Sequence, residues 1–194
     1  TASHCLVIAN EGGERAAFLV DMNDCLVPTK YQSTDDRTLR LSNITFHGSQ
    51  ALRLESVGEK QIDDALHLAL IALAGEQVGG MRAMFKITIQ YLNTRFQFGE
   101  PIGRFQALKH MAADLLVDVE SASTVARIAA QTMASGSGDS ELLTYLAAFT
   151  CADNFRKVTA DAIQLHGGIA YTMEHPAHLY WRRAQTGQWL YASS

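Results

Sequence analysis

Two short stretches of this 194-residue chain carry side chains whose types and spacing could hold a ligand. The first runs Tyr91-Leu92-Asn93-Thr94-Arg95-Phe96-Gln97-Phe98-Gly99-Glu100-Pro101-Ile102-Gly103 and continues into Phe105-Gln106. It sets a guanidinium beside two aromatics, then a glycine turn and an amide. An arginine fork matches phosphate oxygens bidentately, so a pyrophosphate is the ligand this chemistry suits. A cation favoured by the carboxyl end of a helix dipole accounts for the same arginine with no ligand at all. The second stretch is Asp161-Ala162-Ile163-Gln164-Leu165-His166-Gly167-Gly168-Ile169-Ala170-Tyr171. Its paired glycines would let a ligand approach the backbone closely, although ending a helix is the commoner reason for glycine there.

Other constellations carry less. His175 and His178 could share a helix face close to Glu174, but no zinc spacing is met, and no metal site is expected. No Ser-His-Asp or Cys-His pattern stands out. The three cysteines, Cys5, Cys25 and Cys151, are odd in number and lack CxxC spacing, which reads as free thiols in a reducing cytoplasm, with Cys151 a small core residue. A formal net charge of -4 with no dense Lys/Arg run argues against nucleic acid and against a polybasic membrane anchor. The longest apolar run, Ala65 to Val78, is interrupted by His67 and Glu76 and is too short to span a bilayer. No charged leader precedes an apolar segment, so a cytoplasmic location is expected. The opening Thr-Ala-Ser-His runs straight into strand-like residues, and the expectation is that further residues precede it.

The elements that would position these side chains change character along the chain. Cys5–Ala9 and Ala16–Val20 are short apolar runs around a hairpin-like Asn10-Glu11-Gly12-Gly13-Glu14. Leu39–Phe46 alternates as a strand with two differently covered faces would. From about Gly58 the period becomes helical: Ile62, Ala65, Leu66, Ala69, Leu73, Val78, Met81, Met84 and Ile87 form one broad apolar face that continues to Tyr91 and ends near Phe98-Gly99. A second helix is expected from Phe105 to about Ala134, stopping at Ser135-Gly136-Ser137-Gly138. A third, capped by Asp139 or Ser140, runs through Cys151, Phe155 and Ile163 to Gly167-Gly168. A fourth starts near Pro176, with Tyr180-Trp181 and Trp189-Leu190 expected to bury large apolar area. Met81, Met84, Met111 and Met133 read as core. The pattern is a strand-rich segment followed by a four-helix bundle.

Taken together, in this order and at this separation, the motifs resemble the acyl-CoA dehydrogenase family. That family's C-terminal bundle carries Tyr-x-x-x-Arg-x-x-Phe-Gly-x-Pro-Ile, then Phe-Gln, then Gln-x-x-Gly-Gly. Its middle β-domain is matched by Phe18-Leu19-Val20, the Ser33-Thr34-Asp35 region and Asn43-Ile44-Thr45-Phe46-His47-Gly48. The resemblance covers essentially all 194 residues and implies an α+β, mainly α fold. Residues 1–56 would be the C-terminal part of a truncated β-barrel-like middle domain, and 57–194 an up-down four-helix bundle. On this resemblance the family's N-terminal helical domain would have no counterpart among these 194 residues. The implied cofactor is FAD. Arg95 and Phe98 match positions at its pyrophosphate and adenosine end, and Gln106 matches a position on the same cofactor. Gln164 and Gly168 match positions that reach the FAD of a neighbouring subunit. His166 is expected to pack near the FAD edge. The implied partners are an acyl-CoA substrate, electron-transferring flavoprotein as acceptor, and either a second dehydrogenase subunit in an α2β2 assembly or a homotetramer.

One feature of the family is not matched. Its reaction removes an α-proton from an acyl-CoA thioester while a β-hydride passes to the flavin, which calls for a carboxylate base. Family members place this glutamate at one of two positions. Here Tyr191 stands at the first and Ala69 at the second, with Leu70 where a basic residue is usual. A phenol with a pKa near 10 is a poor base at neutral pH. Asp63, Asp64 and Glu76 are too far along the helix to substitute. The leading reading is a base-less subunit of a heteromeric dehydrogenase, resembling bacterial enzymes of steroid side-chain breakdown. A conventional homotetramer whose base is aligned elsewhere, and a non-enzymatic relative, are the alternatives.

Overall fold

A computed structural model describes residues 3–22, 30–31, 34–136, 138–188 and 190, and divides the chain into Thr1–Leu68 and Ala69–Ser194. In the first unit, β1 (His4–Glu11) and β2 (Glu14–Asp21) pair antiparallel from His4↔Asp21 to Glu11↔Glu14. The two-residue turn Gly12-Gly13 has φ of 64° and 98°, the left-handed geometry that lets a tight hairpin follow the strand twist. β2 carries the buried side chains Ala16, Ala17 and Val20. Two further residue pairs, β3 (Lys30–Tyr31) and β4 (Ser42–Asn43), form a separate small ladder. β5 (Ala51–Arg53) lies along the other edge of β2, giving the order β1-β2-β5. The sheets are open, and no closed barrel forms among the described residues.

The alternation at Leu39–Phe46 holds in burial from Ser42 onward, with Ser42, Ile44 and Phe46 half-buried and Asn43, Thr45 and His47 exposed. Among the described residues, however, the backbone pairs at Ser42–Asn43 alone, so the expected strand shrinks there to two residues. Just before it, the buried Asp36 diverts the chain into a turn. Its Oδ1 accepts from the Thr38 amide (2.9 Å) and hydroxyl (2.6 Å), and its carbonyl accepts from Thr34 Oγ1 (2.7 Å). Cys25, Pro28 and Ser33 lie outside the described residues.

The helical unit is built on α1 (Glu59–Thr94), which begins in the first unit and crosses its boundary without a break. Leu70, Ala74, Val78, Met81, Met84, Thr88 and Leu92 are buried at steps of three and four, which is a helical stripe facing a core. Ala65, expected on that face, is exposed. α2 (Gln106–Ser135) contributes Leu115, Val119, Ala122 and Ala129, and α3 (Ser140–His166) contributes Ala147, Cys151, Phe155 and Val158 to the same core. Met111 is partly buried against it and Met133 half-buried. The buried threonines Thr88, Thr144 and Thr159 satisfy their hydroxyls on the carbonyl four residues back, at 2.8, 2.7 and 2.8 Å. At Gly80 an added Cβ would stand 2.7 Å from Phe155 Cζ, so α1 meets α3 where only glycine fits.

Two expectations are corrected here. Asp139 precedes α3 but its side chain makes no cap hydrogen bond. α4 (Ala177–Gly187), which follows Pro176, packs through small residues: Ala177, Ala184 and Gly187 are buried, whereas Tyr180 and Trp181 are only half-buried. Tyr180 nonetheless packs against both groups of buried residues in the helical unit. Trp189 lies outside the described residues. The second unit is thus a four-helix architecture, and the first carries a small antiparallel sheet.

Candidate functional site

α1 ends where its last buried residue, Leu92, gives way to Arg95, whose amide still donates to the Tyr91 carbonyl at 2.8 Å. The Arg95 carbonyl then accepts from the Ile102 amide at 2.8 Å, closing a small loop. Inside the loop, β6 (Phe96–Gln97) and β7 (Glu100–Pro101) pair across a two-residue turn, Phe98-Gly99. Both turn residues have positive φ, 56° and 82°. Such turns favour Asn-Gly, and a bulky Phe in that conformation is an outlier of the kind that collects at functional sites. Its effect is to project the Phe98 ring outward, 92% exposed, edge-on to Phe105 at 6.0 Å and 82°. After Phe105, α2 opens with the exposed Gln106, whose Nε2 lies 2.9 Å from His110 Nε2. Of the two arginines on this segment, Arg104 pairs with Glu100 at 3.0 Å, while Arg95 is exposed and has no ion pair among the described residues.

The second motif closes α3. Gly167 adopts φ 64° and ψ −144°, a region essentially restricted to glycine. Gln164 and Gly168 are exposed, and a Cβ added to Gly168 would meet nothing within 4 Å, so the backbone there is open to an approaching group. His166, between them, behaves oppositely. It is 3% exposed, and its Nδ1 lies 2.7 Å from the Ala162 carbonyl, so that nitrogen carries the proton and donates it. Nε2 is buried with no hydrogen-bond partner among the described residues, and burial pushes the imidazole pKa down. The ring packs 4.6 Å from Tyr91 and 4.5 Å from His175. Tyr91 opens the first motif, so this contact brings both motifs to one end of the helical unit. In this chain the histidine expected at a cofactor edge lies among rings inside the fold. The His175 pKa is lowered too, by burial first and then by the charges of His166 and His178. Among the described residues no group of three His, Cys, Asp or Glu is placed to hold a metal ion.

A third feature was not foreseen. A cavity of about 840 Å³ opens among α1 (Leu70, Leu73, Gln77), α3 (Phe149, Arg156) and the residues after α4, including Leu190. Leu70 adjoins Ala69, which is half-buried on α1, and Leu190 adjoins Tyr191, which lies outside the described residues. Glu76, the nearest carboxylate on the C-terminal side of Ala69, is gripped by Arg183 at 2.6 and 2.7 Å. Gln77 is buried in the cavity wall. The signal that could have found it was a long polar side chain within an apolar helical stripe.

The family model for the acyl-CoA dehydrogenase C-terminal domain matches residues 57–191. The chain belongs to the acyl-CoA dehydrogenase family. Among its relatives is acyl-CoA dehydrogenase IpdE2 of Mycolicibacterium smegmatis, 42% identical over 116 residues, which are 60% of this chain and 35% of the relative. The Tcur3481-Tcur3483 steroid ACAD superposes with a TM-score of 0.88 at 27% identity, covering 98% of this chain and 51% of that one. The ChsE4-ChsE5 complex from Mycobacterium tuberculosis shares the fold, with a TM-score of 0.89 at 24% identity, covering 99% and 52%. The chain therefore spans about half of these structures and about a third of IpdE2. FAD is the family's cofactor, and the residues present fit it. A guanidinium without an ion-pair partner suits a pyrophosphate, the exposed Phe98 ring suits a base or ribose face, and the open backbone at Gly168 admits a close approach. No helix among the described residues is long and apolar enough to cross a membrane.

Proposed function

We propose that this chain is the base-less subunit of a heteromeric acyl-CoA dehydrogenase. In this reading Arg95, Phe98 and Gln106 hold FAD, and Gln164 and Gly168 complete the FAD site of a neighbouring subunit. The single observation that carries it is the absence of a usable carboxylate where the family's reaction needs one. Ala69 offers only a methyl group, Tyr191 a phenol, and Glu76 is committed to Arg183. A general base must accept the proton it faces; a methyl group and a carboxylate held by Arg183 do not serve an α-carbon lodged beside Ala69, and a phenol is a poor base at neutral pH. FAD, when bound, supplies the hydride acceptor. The chain's own part is then to bind and orient: Arg95 neutralises phosphate charge, Phe98 covers a ring face, and the glycine at 168 leaves room for the partner's ligand. Residues 1–56 are read as the remainder of a middle β-domain and 57–194 as the flavin-binding bundle. The acceptor of the electrons is electron-transferring flavoprotein, and the location the cytoplasm. The likeness to the steroid ACAD, at 27% identity, supports a substrate of the steroid type.

Co-expression with the partner dehydrogenase subunit tests this. Replacing the partner's glutamate by glutamine should abolish turnover in a dye-reduction assay, a loss of about 10²–10⁴-fold, while FAD stays bound. Turnover at roughly 1–10³ per second by this chain alone with FAD would overturn the reading.

A further inference from the structure

Three imidazoles gather where α3 passes into α4. His166 ends α3, His175 stands just before α4, and His178 lies in its first turn. His175 Nδ1 accepts from the Ala177 amide at 3.2 Å, which satisfies one of the donors a helix leaves open at its start. His178 Nε2 donates to the Met173 carbonyl at 3.4 Å, and its Nδ1 is buried with no hydrogen-bond partner among the described residues. His166, held by the Ala162 carbonyl, packs on both His175 and Tyr91 of α1. Between these anchors the chain forms a short 3-10 helix (Gly167–Tyr171), whose Ala170 is buried with Met84, Ala162 and Ala177. Gly168, Ile169, Tyr171 and Met173 are left exposed along the segment.

This arrangement suits uncharged rings. A proton on His175 Nδ1 would take away the acceptor of the Ala177 amide, and the charge would stand at the positive end of the α4 dipole. The Ala162 carbonyl favours a cation at His166, but burial outweighs it. No carboxylate compensates. From α1 the titratable group facing the rings is Tyr91, and Arg95, four residues on, is a cation. From α4 it is His178, whose charge disfavours one on His175, as that of His166 does. On α3 the nearest carboxylate in sequence, Asp161, bears on Lys157. Within the segment, Glu174 is exposed and its carboxylate is held first by its own backbone amide.

We propose that His166, His175 and His178 are positioning residues, an uncharged trio that fixes residues 167–176 so that Gly168 meets the flavin of the neighbouring subunit. This deepens the acyl-CoA dehydrogenase reading and rests on it, since that reading sends Gly168 to a partner's FAD. Charging the trio detaches the segment from the start of α4 and sets two cations against each other across a 4.5 Å ring contact. Gly168 and the exposed Ile169, Tyr171 and Met173 then lose their fixed place, so FAD and the subunit contact loosen together as pH falls.

The test takes the complex with its partner subunit and FAD from about pH 7.5 to about pH 5.5. Flavin affinity and the size of the assembly are read beside the helical signal in circular dichroism. One proton that binds the released segment near pH 6.5 and is excluded from the held one weakens FAD binding about tenfold over this range. That loss is expected with the helical signal unchanged. His175→Asn keeps an acceptor for the Ala177 amide, His166→Phe keeps the ring contacts, and neither new side chain titrates there. The double variant should bind FAD equally at both ends of the range. Should it fold poorly, His175→Asn alone should reduce the pH dependence, whereas His175→Ala, with no acceptor, should bind FAD weakly even at about pH 7.5. An affinity that ignores pH in the wild type, a pH dependence unchanged by these substitutions, or flavin lost only together with the helical signal overturns the inference and leaves the family reading standing. A complex that takes up no FAD at any pH overturns the reading beneath it.

Discussion

Phe98→Gly separates what the strained turn does for the fold from what it does for the cofactor. The φ of 56° costs a non-glycine residue about 1–2 kcal/mol, which glycine would not incur. Against this, glycine adds roughly 0.5–1 kcal/mol of unfolded-state entropy, and the edge-on contact with Phe105 at 6.0 Å, worth about 0.5–1.5 kcal/mol, is lost. Almost no burial is forfeited, since the ring is 92% exposed. These terms cancel to within about 1 kcal/mol, so the denaturant midpoint should hardly move. FAD retention should behave differently. Removing an aromatic surface that stacks on a base costs about 1–3 kcal/mol, or roughly five- to 150-fold in affinity. The assay is flavin occupancy by absorbance after exhaustive dialysis of the assembled complex, set beside a urea titration of the same sample. Unchanged occupancy would refute the cofactor role of Phe98, and a stability loss well above 2 kcal/mol would show that the ring is structural.

Arg95→Ala should weaken FAD retention by about 1.5–3 kcal/mol through loss of a charge-assisted phosphate contact, read by the same dialysis. Gly80→Ala should lower the urea midpoint. The new methyl would sit 2.7 Å from the buried Phe155 ring, and overpacking of about 1–3 kcal/mol exceeds the roughly 1 kcal/mol gained in helix propensity. His166 and His175 have folded pKa values lowered from 6.5, so the unfolded chain binds more protons just below that pH. Their stabilising contribution is complete above about pH 6.5 and is lost as pH falls through it, so Tm should drop between about pH 7.5 and 5.5, and His166→Phe should flatten that slope.

The helices were legible because their periodicity is long and strong. α1 begins where Gly58 places the break and ends at Thr94, one turn before the expected Phe98-Gly99, while α2 and α3 begin and end within a few residues of where Phe105, Gly136 and Gly167 place theirs. The first hairpin was legible for a similar local reason, the Gly12-Gly13 turn between apolar runs. β5 was not, because Ala51–Arg53 is three residues long with all side chains exposed and carries no pattern of its own; only its partner β2 makes it a strand. The overestimated strand at Leu39–Phe46 failed for the converse reason. Its alternation is genuine, but a ladder needs a partner, and β3 supplies two residues. At the site, Arg95, Phe98 and Gln106 were readable as a linear motif on contiguous chain. The contact of Tyr91 with His166 and the burial of Gln77 are long-range facts, and spacing along the chain does not encode them.

The passage of α1 across the boundary between the two units also bears on how the chain comes apart. Boundaries between units usually lie in exposed, irregular linkers, which is where proteases nick and where one unit can melt without the other. Here the boundary falls between Leu68 and Ala69, inside a helix of 36 residues. A protease needs an extended strand, and at this point none exists until several turns of helix have opened. Opening them exposes the Leu70–Met81 stripe and with it the bundle core. Loosening of the sheet end therefore propagates along one unbroken run of backbone hydrogen bonds, and amide exchange protection should fade gradually along α1 with no step at the boundary.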